Sequence, residues 1–334
     1  MAKNLNAVLC YFIPFFATTL LQFQSTLGCA VENNNSSLTP PFTPMPTPAD
    51  TRLNQLASYI AGLFEGDGHI WIPSTPFAPS GIRYKPRFHI TFTLKDLPLA
   101  QLLSNLLGGV QIRIKEPENA CVLTVNSIDK IIILVNLCNG LLRTPKIEQF
   151  DSLIKWLNSN GYGPFTLLPI DSSSLLSNSW LAGFIDADGG FKIRHTQEIR
   201  DESGKLTRKG RIACSLVLEQ RMETKSGLSY LKILTTMCNT FNCNLTTSTH
   251  SERTYFVFAI SSMVQLSLLV SYLDQHPLMG SKYLDYIAWR SVYFLIRDRA
   301  HLTPEGSTLI AKYKSEINNS RTVYTWDHLI TNYT

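Results

Sequence analysis

The sequence predicts an α+β protein built as two related halves around a shared pair of helices. Three observations carry this expectation. A twelve-residue segment, Tyr59-Ile-Ala-Gly-Leu-Phe-Glu-Gly-Asp-Gly-His-Ile70, returns 121 residues later as Trp180-Leu-Ala-Gly-Phe-Ile-Asp-Ala-Asp-Gly-Gly-Phe191, with four positions identical and seven more exchanged like for like. Behind each copy the same events follow in order: basic strand-like runs, an apolar helix-like run, a short strand, a helix and an isolated lysine. Between the copies lies a Gly-, Pro- and Ser-rich joint. At 334 residues the chain has room for two such units, each of ~100–150 residues.

The elements follow from the N-terminus. Residues 4–31 contain no charged side chain, and Leu5 to Leu21 imitates a signal peptide or a short membrane span. Its apolar core, ~15 residues against the ~20 a span needs, is interrupted by Pro14. Residues 1–31 therefore read as a signal-like leader or a fused remnant of upstream coding sequence, without a stable membrane partner. Residues 32–51 are Asn- and Pro-rich and read as an extended linker, so the folded protein is expected to begin near Asp50. The first half then spans 52–157, the joint 158–179 and the second half 180–334.

Charged residues make up 16% and apolar residues 44%, a composition that buries a core and argues against disorder. Lys and Arg number 30 against 25 acids, and Lys3 and Glu32 cancel, so the whole +5 lies in residues 50–334. That excess permits nucleic-acid binding without requiring it. Seven scattered cysteines without a C-x-x-C pair argue against a disulfide framework and a zinc site. They read as buried small hydrophobes.

Each copy of the repeat reads as an apolar helix ending at Asp-Gly. Ala61-Gly62, Ala182-Gly183, Gly66 and Ala187 strip bulk from one face, which lets two helix backbones approach closely around a pseudo-two-fold axis. Gly68 and Gly189 are expected to stop the helices in the left-handed conformation. Both helices then end together, and Asp67 meets Asp188. Two carboxylates at the negative ends of two helices repel each other. A hard divalent cation resolves the conflict, and Mg²⁺ suits oxygen ligands with water and phosphate filling its shell. Two or more ions between such acids fit in-line phosphodiester hydrolysis. The competing reading, an Asp-Gly that only ends a helix, is weakened by recurrence within the duplication. A calcium loop starting at Asp186-Ala-Asp188 fails, because Gln197 stands where the bidentate Glu belongs.

Arg83, Lys85, Arg87 and His89 alternate with mainly apolar residues, so one strand is expected to present them on one face. The pattern returns at Arg113 and Lys115 and again at Lys192 and Arg194, with Arg211 a further candidate beside Arg208 and Lys209. Such rows can contact phosphates and base edges of a DNA major groove. A solvated sheet face is the plainer alternative for any one run. Lys146 and Lys282 recur at matched places, each four residues after a leucine, and could stabilise charge at a scissile phosphate or polarise water. Gln220 could orient water in the second half, with Lys95 as its rough first-half counterpart.

The two copies resemble the motif of the LAGLIDADG homing endonucleases, in the two-motif monomeric branch of the organellar group I intron-encoded type. The resemblance covers residues 52–334 and extends to His301-Leu-Thr-Pro-Glu-Gly306 and the closing Arg321 to Leu329. It implies two αββαββα halves, saddle-shaped antiparallel sheets over the DNA and a central two-helix interface. It implies catalytic, metal-binding roles for Asp67 and Asp188, with the preceding carbonyls of Gly66 and Ala187 helping to hold two or more Mg²⁺ ions. The implied partner is a long asymmetric double-stranded DNA target cut by a monomer, in a mitochondrion or alternatively a chloroplast. Some members also act as maturases that help their own group I intron RNA fold and splice, with or without DNA cleavage, and a basic face suits either nucleic acid. Glu65 departs from the motif, where Asp is usual, at a non-catalytic position.

Overall fold

A computed structural model describes residues 48–196 and 198–331, so the apolar leader and most of the Asn/Pro-rich stretch lie outside the described residues. The first motif helix, α1 (Pro48–Asp67), starts inside the segment read as linker. Proline suits a first helical turn, where its missing N–H has no partner to lose, and Pro48 opens the helix. The first half continues through β1 (Gly68–Trp71), β2 (Arg87–Thr93), α2 (Leu97–Leu106), β3 (Gln111–Lys115), β4 (Ala120–Val125), α3 (Ile128–Cys138) and α4 (Ile147–Ser159).

The second half repeats this order. It runs α5 (Trp180–Asp188), β5 (Gly189–Thr196), an inserted hairpin of β6 (Ile199–Arg200) and β7 (Leu206–Arg208), then β8 (Arg211–Arg221) and α6 (Leu231–Phe241). It closes with β9 (Thr246–His250), β10 (Arg253–Ile260), α7 (Met263–Gln275) and α8 (Lys282–Arg297), and two further helices follow, α9 (Pro304–Ser315) and α10 (Asp327–Thr331). The two four-stranded sheets are antiparallel with matching orders, β1-β2-β4-β3 and β5-β8-β10-β9. This is the αββαββα arrangement, twice.

Period-2 patterning decides which face is buried. In β2, Phe88, Ile90 and Phe92 point into the core while Arg87, Thr91 and Thr93 stay exposed. In β5, Phe191 and Ile193 go in and Lys192 and Arg194 stay out. An antiparallel sheet covered on one side leaves its other side free for a ligand. One continuous apolar core runs through both halves.

The small residues of the motif act as expected. A Cβ at Gly62 would stand 2.0 Å from the carbonyl oxygen of Trp180, and one at Gly183 would stand 2.1 Å from that of Tyr59. Gly68 and Gly189 differ from expectation: Gly189 is extended, at φ −77° and ψ 150°, and Gly68 is not among the glycines of positive φ. Their glycine requirement is steric. A Cβ would meet the Phe64 carbonyl oxygen at 2.6 Å or that of Ile185 at 2.8 Å, because each helix runs straight into a strand without a left-handed stop.

The joint is fastened to the first half. Arg143, buried, donates to Asp171 Oδ2 at 2.5 Å and to Ser173, and Asn139 bonds Thr166 and Leu168. The five described cysteines are free thiols, four of them buried, and burial pushes Cys138 and Cys214 up to about 12. Among the described residues no helix is long and apolar enough to cross a membrane.

Candidate active site

The helices α1 and α5 end side by side, each on an aspartate that leads directly into the first strand of its sheet. At Gly66 a Cβ would lie 2.1 Å from the Cβ of Ala187 and 3.2 Å from Asp188 Oδ2, so the two ends touch. Asp67 opens onto the cleft and Asp188 is half-buried. Desolvation by the surrounding protein, then repulsion from Asp188, pushes Asp67 up to about 6. Burial also raises Asp188, against the pull of Lys146 and then Lys282.

Both lysines lie beneath these helix ends. Lys146 Nζ donates to the carbonyl oxygens of Phe64 (3.2 Å), Gly66 (2.5 Å) and Gly68 (2.9 Å), and Lys282 Nζ donates to those of Ile185 (2.9 Å) and Ala187 (3.2 Å). Each ammonium thus neutralises the negative end of its motif helix and stands near both acids. Burial pulls Lys146 down to about 8 and also lowers Lys282. The carbonyls of Gly66 and Ala187, read from the resemblance as metal ligands, already accept these ammonium protons, which leaves each oxygen one further lone pair.

Sequence reasoning passed over what holds the lysines. Glu65 accepts the backbone N–H of Arg143 at 2.8 Å and of Thr144 at 2.6 Å, in the turn that leads to Lys146. Asp186, at the matching motif position, accepts those of Met279 and Gly280, both at 2.8 Å, ahead of Lys282. Burial raises both carboxyls. The available signal was an acid two residues before the helix-ending aspartate in both copies.

The two centres are unequal. Gln220 Nε2 donates to Asp188 Oδ2 at 2.8 Å. Gly68 pairs with Ile90 as Gly189 pairs with Leu218, so the first-half equivalent of Gln220, two residues on, is Phe92. Lys95 is therefore not the counterpart: it lies past the strand end in a single 3₁₀ turn, 5.7 Å from the Tyr324 ring centre. Beside Asp67 is a cavity of about 120 Å³, lined also by Phe92, Asp96, Ser281 and Lys282. Asp96, missed from the sequence, accepts the Ser281 N–H at 2.6 Å and ties the first half to the second-half lysine turn.

The open sheet faces carry most of the expected bases. Arg87 and Arg113 are exposed on the first sheet, with His89 half-buried and bonded to Thr124 Oγ1 at 3.0 Å, and Lys115 near Glu118. Lys192, Arg194 and Arg211 are exposed on the second. Arg83 and Lys85 fall outside the strand, which starts at Arg87. Pro86 has no N–H for a ladder, and Arg83 is drawn off to a bridge with Phe77 and to Asn160 Oδ1 at 2.5 Å. Unforeseen on these faces are Trp71, with the Arg87 guanidinium 5.3 Å from its ring centre, and Arg221 beside Gln220. Neither has a sequence signal beyond its strand register.

Paired acids at a two-helix seam between two basic, open sheets define a duplicated fold suited to a nucleic-acid phosphate. The LAGLIDADG endonuclease family matches residues 60–157 and 181–293, and the chain belongs to that family. It is 28% identical over 311 residues to the intron-encoded DNA endonuclease aI3 of Saccharomyces cerevisiae, across 84% of this chain and 74% of that protein. Its fold is similar to the LAGLIDADG homing endonuclease I-GzeII in complex with its DNA target, at TM-score 0.60 and 19% identity over 80% of this chain and 99% of that one. It is also similar to I-SmaMI bound to uncleaved DNA in the presence of calcium ions, at TM-score 0.56 and 17% identity over 78% and 98%.

Proposed function

We propose that the chain is a site-specific DNA endonuclease that cuts both strands of a long asymmetric target, one strand at the Asp67 centre and the other at Asp188. The observation that carries this reading is the pair of touching helix ends, which force two acids together between two basic sheet faces. Cleavage depends on divalent metal, with Mg²⁺ as the ion and two or more ions per site pair. The donor set fits: Asp67 and Asp188 are hard oxygen ligands, both raised by burial and Asp67 also by repulsion from Asp188, so a cation between them relieves a real cost. Among the described residues no group of three or more His, Cys, Asp or Glu could hold an ion alone. The rest of a shell would come from the free lone pairs of Gly66 and Ala187, from water and from phosphate.

When bound, the metal lowers the pKa of water and stabilises the leaving oxygen. The chain's own residues do the positioning. Gln220 fixes the Asp188 carboxyl, Lys146 and Lys282 hold the helix ends and keep positive charge under both acids, and Arg87, Arg113, Lys192, Arg194 and Arg211 bind the duplex. The enzyme acts as a monomer, because both acids lie in one chain, and a mitochondrial setting follows from its likeness to organellar intron-encoded proteins.

The test uses a duplex spanning the joined exons that flank the encoding intron, incubated with the protein and Mg²⁺ or EDTA. Cutting near the junction with Mg²⁺ alone is expected, and Asp67→Asn or Asp188→Asn abolishes double-strand cleavage while sparing binding. Binding without cutting by the unaltered chain refutes the nuclease reading, and a variant that still cuts both strands at full rate refutes the site assignment.

A further inference from the structure

Glu65 also accepts the Thr144 hydroxyl at 2.6 Å within its own half, and Glu65 and Asp186 each receive one hydrogen bond from the opposite half. Trp180, the first aromatic of the second motif, donates its indole Nε1–H to Glu65 Oε2 at 2.7 Å. Tyr59, at the same position of the first motif, donates its hydroxyl to Asp186 Oδ2 at 2.6 Å. Both aromatic side chains are fully buried in the helix seam. The route is the same in both directions: aromatic of one half, acid of the other half, the two amides of that other half's turn, and then its lysine.

The lengths compensate across the axis. The indole N–H lies closer to its own backbone than a phenol O–H does, and it meets the longer Glu65. The longer-reaching Tyr59 meets the shorter Asp186. The departure of Glu65 from the usual motif residue is thereby matched by Trp180 in the facing helix. A glutamate facing tyrosine would crowd the seam, and an aspartate facing tryptophan would leave a buried N–H unpaired.

We propose that Tyr59 and Trp180 are crossed positioning residues: each sets the lysine turn of the opposite half, so each half's motif helix governs the strand cut served by the other half's lysine. The proposal rests on the endonuclease reading for its consequence in cleavage, though the crossed hold itself belongs to the free protein. A hydrogen bond to a buried carboxylate is worth about tenfold in the population of the correct turn geometry.

The full-length protein carrying Tyr59→Phe or Trp180→Phe is compared with the unaltered chain in two measurements. Amide hydrogen exchange of the free protein is expected to rise about tenfold at Met279 and Gly280 in Tyr59→Phe, with Arg143 and Thr144 unmoved, and to show the reverse in Trp180→Phe. In strand-resolved cleavage, Lys282→Met and Lys146→Met identify the strand each lysine serves. Tyr59→Phe then slows the Lys282 strand and leaves nicked product, and Trp180→Phe slows the Lys146 strand. The paired swap Glu65→Asp with Trp180→Tyr restores what Trp180→Phe loses, because it copies the second half's geometry into the first. Exchange that rises within the same half, or equally in both, overturns the proposal, as does equal slowing of both strands. Crossed exchange in a protein that cuts no DNA upholds the crossed hold and refutes the nuclease reading.

Discussion

Gly62→Ala tests whether close backbone approach builds the site. The new methyl would lie 2.0 Å from the Trp180 carbonyl oxygen and 2.9 Å from the Phe184 nitrogen. A carbon and a carbonyl oxygen settle at roughly 3.3 Å, so α1 and α5 must part by about 1.3 Å at that point. The obstacle is backbone and cannot swing away, which puts the overpacking cost near the top of the usual range, about 3 kcal/mol. Removing a glycine from a helix interior returns up to about 1 kcal/mol. The net loss is about 2 kcal/mol, a fall in melting temperature of about 3 °C for a chain of this size. Asp67 lies five residues on in the same helix and moves with it, and a displacement near 1 Å costs about 100-fold in cleavage. Thermal unfolding and plasmid linearisation read the two effects. Gly190→Ala is the control, since its Cβ meets only the Val217 carbonyl oxygen, at 3.7 Å. A Gly62→Ala protein that melts and cuts like the unaltered chain would refute the reasoning.

The charges fix four further outcomes. Asp67, raised to about 6, must be ionised to hold a cation, and Lys146, lowered to about 8, must be charged to steady the helix end, so cleavage is expected to peak between those values. For stability the sign runs the other way at Asp67: the fold binds that proton more tightly than the unfolded chain does, so in EDTA this group's contribution is lost as pH rises through about 6. Mg²⁺ recovers it, and melting curves at pH 5 and 7.5 with and without the metal check the crossover. Arg143→Met leaves Asp171 without the partner it holds at 2.5 Å and is expected to cost about 3–5 kcal/mol in urea unfolding. Lys155→Ala, which breaks the exposed pair with Asp151, is expected to change stability by less than ~0.5 kcal/mol.

The parts of the fold legible in the sequence are those written locally. The Ala-Gly pairs announce a close helix seam, the duplication announces the two-fold axis, and the Asp-Gly ends put both acids at one edge. Alternation of bases with apolar residues marks β2, β3 and β5 correctly from Arg87, Arg113 and Lys192 onward. It overreaches at Arg83 and Lys85, where period 2 continues across Pro86 although the ladder cannot. Hidden from sequence are pairings made between distant segments. The equivalence of Gln220 with Phe92 exists only in strand register, and the grip of Glu65 on residues 143 and 144 spans nearly the whole first half. The same holds for the lysines: their recurrence is visible, but the carbonyls they reach are set by how α4 and α8 pack beneath the seam.

The pattern of difference between the halves has a physical logic. Positions facing the axis are constrained by their twin, because a change on one side alters a contact on the other. Gly62 and Gly183 therefore stay identical, and the Glu65–Trp180 and Asp186–Tyr59 pairs differ only in compensating lengths. Positions away from the axis have no twin to satisfy. There the halves part freely: Gln220 stands against Phe92, and the β6–β7 hairpin is inserted on one side. On the proposed endonuclease reading, an asymmetric target needs different base-reading faces while both strands are cut at one seam. A duplication that drifts at its faces and is held at its axis meets both demands within a single chain.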